Sequence, residues 1–285
     1  MPERSPLLQL GDLFPHLRDP AWAAIDCRTD LTNPSWGRGA YLQSHIPGAL
    51  HADLETDLSA PRTGLNGRHP LPSPEDLAPV FSRWGIDDDV EVVAYDAGAD
   101  FFAARLWWTL RYLGHTRVHV LDGGLSAWQA EGLPVSAGEE ARTPRRFVPR
   151  PQPDLVTPIT QVLHAERLID ARAPERFRGE VEPLDRVAGH IPGARSYEWR
   201  RSLGPDGRML PARALRAQLE GALAGVAPEQ TVVYCGSGVS ASHVLLAMAV
   251  AGLHGARLYP GSWSEWCADP ARPVATGDQD GRMAP

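Results

Sequence analysis

Short apolar runs rich in β-branched residues recur along the chain, and each is followed by a longer stretch of helical composition. The runs at Ala23–Ile25, Val92–Tyr95, Arg117–Leu121, Leu168–Ile169, Thr231–Tyr234 and Ala256–Tyr259 are too short for helices and too apolar for exposed strands. They read as buried strands. Helical stretches are predicted over Pro74–Trp84, Phe101–Leu113, Pro211–Ala224 and Ser242–Leu253. Strands alternating with helices imply parallel βαβ units and an α/β fold, with a doubly wound, mainly parallel sheet flanked by helices. In such sheets ligand sites form beyond the carboxyl ends of the strands.

The pattern occurs twice. Ala24-Ile25-Asp26-Cys27-Arg28 matches Leu168-Ile169-Asp170-Ala171-Arg172, and His45-Ile46-Pro47-Gly48-Ala49 returns as His190-Ile191-Pro192-Gly193-Ala194. Val92-Val93-Ala94-Tyr95-Asp96 matches Thr231-Val232-Val233-Tyr234-Cys235, and Asp122–Trp128 matches Pro260–Trp266. The four matches keep their order, which an internal duplication explains. The predicted organisation is a first domain over 1–138, a linker over 139–153 rich in Pro and Arg, and a second domain over 154–285. Without periodicity, the linker is expected to run extended over the surface.

Composition narrows the chemistry. The net charge of −7 argues against a nucleic-acid partner. Every basic residue is arginine, so an anion site must use arginine, histidine or backbone N–H groups. No apolar run approaches the length of a membrane span, and the N-terminus has no signal-peptide pattern. Three cysteines, with no CxxC pair, suggest free thiols in a reducing compartment, hence the cytoplasm. They also leave no cysteine-based zinc site, and neither a metal nor a cofactor is expected.

Cys235 stands at a strand-to-helix turn, in Cys235-Gly236-Ser237-Gly238-Val239-Ser240-Ala241. Backbone N–H groups converge at such turns and the helix dipole favours negative charge, so a thiolate is stabilised there. The first half carries Asp96 at the matching place. By this argument the second copy is active and the first has lost its nucleophile.

Two tandem repeats with His-Ile-Pro-Gly-Ala in each, Asp in the first copy and the Cys-Gly-Ser-Gly-Val-Ser-Ala loop in the second resemble the two-domain rhodanese sulfurtransferases. The resemblance covers roughly Leu8 to Ala275. It implies two rhodanese-like domains and a sulfane sulfur carried as a persulfide on Cys235, moved from a small donor to a thiol or cyanide. Thioredoxin is among the acceptors it suggests. The Gly-Ser version of the loop is similar to that of 3-mercaptopyruvate sulfurtransferases, whereas thiosulfate sulfurtransferases carry Cys-Arg-Lys-Gly-Val-Thr. Charge points the same way: thiosulfate is a dianion that a cationic pair beside the cysteine would hold, and here that pair is replaced by Gly236 and Ser237. Mercaptopyruvate is therefore the favoured donor, with thiosulfate as the alternative.

The remaining assignments follow from the loop and the resemblance. The amides of Gly236, Gly238 and Val239 are expected to cradle the thiolate or persulfide, and Ser237 and Ser240 to add hydroxyl donors, with helix capping as the competing role for both. Arg176, in Glu175-Arg176-Phe177-Arg178-Gly179, aligns with the family's substrate arginine and is expected to hold the donor's carboxylate. Arg186 is a second, less well matched candidate, because Glu182-Pro183-Leu184-Asp185-Arg186 departs from the family's acidic-Pro-Arg pattern. His45 is expected to border the donor, and Arg172 to form a structural ion pair. Fold-sharing phosphatases need an arginine six residues after the cysteine, where this chain has Ala241. The reading from another class is a sulfur-relay or protein-binding module that turns over no small donor of its own.

Overall fold

The strands pair only in parallel, in two separate sheets. The computed structural model describes residues 5–278. The first sheet contains β1 (Leu7–Leu8), β2 (Trp22–Asp26), β3 (Leu50–His51), β4 (Glu91–Tyr95) and β5 (Val118–Leu121), in the order β1-β5-β4-β2-β3. The second contains β6 (Arg167–Asp170), β7 (Ala194–Ser196), β8 (Thr231–Tyr234) and β9 (Arg257–Leu258), in the order β7-β6-β8-β9. Val156 makes a parallel bridge to Leu258, as β1 does to β5 in the first sheet. All residues of β4 and β8 are buried, which is why both read as unbroken apolar runs rather than alternating ones.

Helices α1 (Leu10–Leu13), α2 (Trp36–Gln43), α3 (Pro74–Arg83), α4 (Phe102–Tyr112) and α5 (Gly124–Ala130) accompany the first sheet. Helices α6 (Pro174–Arg178), α7 (Ala212–Leu223), α8 (Val239–Val250) and α9 (Ser262–Trp266) accompany the second. Three of the four predicted helices lie within a residue of their expected bounds. For α3 the signals are explicit: Ser73 accepts from the Asp76 amide at 3.1 Å and Pro74 occupies the first turn. The fourth, α8, begins at Val239 rather than Ser242. Gly238 takes a left-handed conformation (φ 77°), which only glycine adopts freely, and turns the chain straight into the helix. Nearly all of α8 is buried, so its apolar character runs all round.

The residues cluster into two units. One comprises the chain up to Ala60, Pro72–Gln152 and Gly204–Met209; the other comprises Pro61–Leu71, Pro153–Leu203 and the chain from Leu210. Each unit thus includes a short segment from the opposite half of the sequence. The core of the first is built on Leu10, Val93, Tyr95, Leu121 and Trp128, and that of the second on Leu168, Val232, Tyr234, Trp263 and Trp266. The stretch from 139 to 152 has neither helix nor strand, as its composition predicts, but it is fastened to the first unit. The amides of Arg145, Arg150 and Gln152 donate to the carbonyls of Ser82, Leu113 and Tyr112 at 2.9, 2.8 and 2.7 Å, and Phe147 is buried against Phe81.

The duplication extends to side-chain detail. Arg28 and Arg172 each grip the aspartate two residues earlier, with Nε–O distances of 3.0 Å and Nη2–Oδ2 of 2.6 Å. Each also donates to a carbonyl before the His-Ile-Pro-Gly-Ala motif, Ser44 or Gly189, at 2.6 Å. Tyr95 and Tyr234 accept from the amides of Ile46 and Ile191 at 3.2 and 3.1 Å. These contacts tie each motif to the carboxyl edge of its own sheet.

Candidate active site

The second sheet presents Cys235 at the residue after β8. Asp170 and Tyr234 stand opposite one another in register, and the Tyr234 carbonyl accepts from the Ala171 amide at 2.8 Å, so the Asp-x-Arg turn and the cysteine leave the sheet side by side. The cysteine's backbone is fixed from α9. Its amide donates to Ser262 Oγ at 3.1 Å, its carbonyl accepts from Trp263, and the Gly236 carbonyl accepts from Ser264, both at 2.9 Å. Cys235 itself is 2% exposed.

The space over Gly236 is taken by charge. A Cβ placed there would stand 2.6 Å from Arg68 Nη2, and 3.6 and 3.7 Å from the two terminal nitrogens of Arg176. Glycine at this position makes room for two guanidinium groups. Both are held by carboxylates: Arg68 pairs with Asp185, and Arg176 binds Glu182 at 2.6 Å and Asp185 at 3.3 Å. Glu182 also pairs with Arg172 at 3.3 Å, and Arg172 with Asp170. The result is a chain of alternating charge, Asp170–Arg172–Glu182–Arg176–Asp185–Arg68, running from the sheet edge to the loop. Burial works against the charge on Arg172, but Asp170 and Glu182 outweigh it and hold the proton more tightly than in a free guanidinium. The Arg172 guanidinium also lies over the ring of Trp263, 4.8 Å from its centroid.

Ser237 is buried, and its hydroxyl shares a hydrogen bond of 2.7 Å with Nδ1 of His69, itself buried. His69 and Arg68 belong to the Pro61–Leu71 segment of the second unit. That segment is anchored by the Arg68 amide, which donates to Ser264 Oγ at 3.0 Å. It passes so close to α9 that a Cβ on Gly67 (φ 87°) would meet the Gly261 carbonyl oxygen at 2.8 Å.

The site residues expected from sequence divide clearly. Cys235, Gly236, Ser237, Gly238, Val239 and Arg176 come together in the second unit. Ser240 lies half-buried at the second position of α8, and Gly238 rather than either serine caps that helix, so the capping role is excluded. Arg186 is exposed, whereas the neighbouring Asp185 turns inward to Arg176. His45 lies apart from this group of residues, in the first unit. It is wholly buried there, its Nδ1 2.8 Å from the Tyr41 carbonyl and its ring stacked on Tyr41. His190 repeats this arrangement with Phe177, which marks the motif histidine as structural in both halves. Cys27 and Cys267 are core residues whose thiols burial pushes up. Trp263 is buried and donates its indole N–H to the Val187 carbonyl at 2.9 Å, whereas Trp36 is exposed.

Sequence reasoning missed Arg68, His69, Glu182 and Asp185. The first two sit in a loop of the half that lacks the cysteine, outside every repeated motif. Their only sequence signal is Arg-His within a stretch otherwise made of Pro, Gly, Leu, small polar residues and Arg62.

The first unit displays what the equivalent turn does to a charged side chain. Asp96 is buried, and its two carboxylate oxygens accept from the amides of Gly98 and Ala103, each at 3.0 Å. Burial raises the Asp96 carboxyl above its ordinary range, while the amides of Ala103, Gly98 and Phe102 pull it back. Phe102 and Ala103 are the first two residues of α4, which begins six residues after Asp96; α8 begins four residues after Cys235, with Val239 and Ser240.

Comparison with known proteins agrees with this geometry. The rhodanese-like domain family matches residues 12–131 and again 156–269. A Pseudomonas aeruginosa protein provisionally named 3-mercaptopyruvate sulfurtransferase is 49% identical over 95% of this chain and 98% of its own length. A Mycobacterium tuberculosis protein provisionally named thiosulfate sulfurtransferase SseB is 43% identical over 89% of this chain and 90% of its own. Among solved structures, the Escherichia coli 3-mercaptopyruvate sulfurtransferase SseA superposes with a TM-score of 0.79 at 34% identity, over 91% of this chain and 99% of that one. With Asp96 at one of the two matched turns and a free cysteine at the other, the chain belongs to the tandem-domain rhodanese family of sulfurtransferases.

Proposed function

We propose that the protein transfers a sulfane sulfur from 3-mercaptopyruvate to a thiol or to cyanide through a persulfide on Cys235. The observation that carries this reading is the pair of matched turns. In the first unit the amides at the helix start converge on the carboxylate of Asp96; in the second, the side chain at that position is a free thiol. On this reading the amides at the start of α8, beginning with Val239 and Ser240, serve the thiolate and the persulfide that replaces it as the start of α4 serves the carboxylate.

The chemistry balances as a double displacement. The Cys235 thiolate attacks the donor sulfur and an S–S bond forms. The C–S bond of mercaptopyruvate breaks, and its electron pair leaves on the carbon as the enolate of pyruvate, which takes up one proton. An acceptor thiolate then attacks the outer sulfur, and the electron pair of the S–S bond returns to Cys235. Arg176 holds the donor's carboxylate, for which its planar fork is suited. Ser237, hydrogen-bonded to His69, supplies the proton to the enolate and is recharged by the imidazole.

Thiosulfate is the second reading, and one observation favours it. The cationic pair that the loop sequence lacks stands over Gly236 in the form of Arg68 and Arg176. A reduced thiol protein such as thioredoxin suits the acceptor step, in a compartment that keeps Cys27, Cys235 and Cys267 as free thiols. Intact-mass measurement after incubation with each donor is the test. One added sulfur, lost on addition of a thiol and never gained by Cys235→Ser, is the expected result. No gain with either donor would overturn the enzymatic reading and leave the binding-module alternative.

A further inference from the structure

We propose that Ser262 is a positioning residue for the nucleophile: its hydroxyl wedges open the end of the β8–β9 ladder and sets Cys235 off from β9. This rests on the sulfur-transfer reading above, in which Cys235 is the attacking residue.

Three observations lead there. In a parallel pair the hydrogen bonds follow a fixed order, so each one names the next. Val233 pairs with Leu258, and the Tyr259 amide donates to the Val233 carbonyl at 3.0 Å. The next bond due runs from the Cys235 amide to the Tyr259 carbonyl. Ser262 stands between these two groups. Its Oγ accepts from the Cys235 amide at 3.1 Å and donates to the Tyr259 carbonyl at 2.9 Å. Two bonds meeting on one hydroxyl oxygen hold the outer atoms roughly 4–5 Å apart, where a direct bond would hold them at about 3 Å. The strands therefore part at the residue that carries the thiol.

Second, Ser262 holds a conformation that serine disfavours. Its φ is 55°, in the left-handed region, and the residue is fully buried. The other described non-glycine residues of positive φ, Arg18, Ala99 and Ala224, are half-buried or exposed. Strain of this kind persists only where the surroundings over-determine it, and it gathers at functional sites.

Third, the duplication supplies a control. Gly124 occupies the matching place in the first unit, with φ 56°. The helix after it is tied to its turn in the same way: the amides of Leu125 and Ser126 donate to the carbonyls of Asp96 and Ala97 at 2.9 and 3.0 Å, as those of Trp263 and Ser264 do to Cys235 and Gly236. A Cβ on Gly124 would stand 2.6 Å from the Asp96 carbonyl oxygen. The turn without a cysteine closes on the residue that this φ favours, whereas the turn with one stands off far enough to admit a hydroxymethyl group.

Removing the hydroxyl leaves no orphaned group, because the Cys235 amide and the Tyr259 carbonyl can bond each other directly. Ser262→Gly also relieves the left-handed strain. It is therefore expected to keep the fold and to lose the placement of the thiol, and this separates positioning from structural support.

The experiment compares wild type with Ser262→Gly and Ser262→Ala. Persulfide formation is followed over a range of mercaptopyruvate and of thiosulfate concentrations. Displacing a reacting group by about 1 Å costs up to about a hundredfold, so the maximal rate of Ser262→Gly should fall by about tenfold or more with both donors alike, with KM within about threefold. Its Tm should be at or above that of wild type. Ser262→Ala keeps a Cβ at the unfavourable φ; it should show the same loss of rate and melt about 2 °C or more below Ser262→Gly. A readout free of sulfur transfer accompanies these. Labelling with 15N-cysteine gives three amide signals, and that of Cys235, assigned by its loss in Cys235→Ser, should move in both variants while those of Cys27 and Cys267 hold. A maximal rate for Ser262→Gly within about twofold of wild type, or an unmoved Cys235 signal, overturns the wedge and leaves the transfer reading standing. A raised KM at unchanged maximal rate assigns Ser262 to donor binding instead. A Tm for Ser262→Gly more than about 5 °C below wild type reduces Ser262 to a support of the fold. If wild type takes up no sulfur, the transfer reading is overturned, and the Cys235 signal and the melting order still decide the wedge.

Discussion

His243 gives the sharpest prediction about stability. It lies in α8, the helix that carries the nucleophile loop at its start, and it is buried with its ring edge-on to Trp199 at 5.3 Å. Its Nε2 has no hydrogen-bond partner among the described residues. Burial alone pushes its pKa down to about 4. In the unfolded chain the imidazole titrates near its ordinary value of about 6.5. The folded-state pKa is depressed, so the unfolded state binds the extra proton between these values. Stability from neutral His243 is therefore complete above about pH 6.5 and is lost as the pH falls toward 4. With about 1.36 kcal/mol per unit of pKa difference, the loss is about 2 kcal/mol between pH 8 and pH 5, and about 3 kcal/mol by pH 4. His243→Leu removes both the titrating ring and the unpartnered nitrogen while keeping an apolar side chain of similar size. Urea unfolding of the two proteins across this range is the assay, read as the difference between them so that other titrating groups cancel. The wild-type curve should fall below that of the variant by about the stated amounts as the pH drops. Parallel curves would refute the argument, since they would mean that the ring is solvated or paired in the native state.

Two further predictions concern the charge chain and the proton path. Asp170→Asn leaves Arg172 buried without its tightest partner and should cost about 3–5 kcal/mol in urea unfolding. Asp26→Asn should cost about the same, because its pair with Arg28 repeats the geometry; a loss below about 1 kcal/mol in either would mean that water enters to replace the carboxylate. Ser237→Ala should lower kcat with mercaptopyruvate by about a hundredfold, through loss of proton delivery to the enolate. With thiosulfate it should change little, since sulfite leaves without needing that proton. An equal fall with both donors would assign Ser237 to loop geometry.

The amino-acid sequence by itself determined the architecture and singled out Cys235 as the proposed nucleophile. Buried parallel strands such as β8 must be apolar on both faces, and a duplicated chain must repeat the contacts that tie its motifs to its sheets. Both constraints are local, and both are written in residue order. The asymmetry between Asp96 and Cys235 is equally local, so the two matched turns could be told apart from residue order alone. What sequence could not supply was the surroundings of the loop. His45 and Arg186 were plausible by motif, but burial is decided by packing, and packing sealed the one and left the other in solvent. The charge beside the cysteine was misjudged for the same reason. Gly236 and Ser237 looked like the loss of a cationic pair, whereas Gly236 is the vacancy into which Arg68 and Arg176 fit. Arg68 and His69 stand more than 160 residues before the nucleophile in the chain. Only tertiary structure, by placing Pro61–Leu71 within the second unit, brings Arg68 to Gly236 and His69 to Ser237.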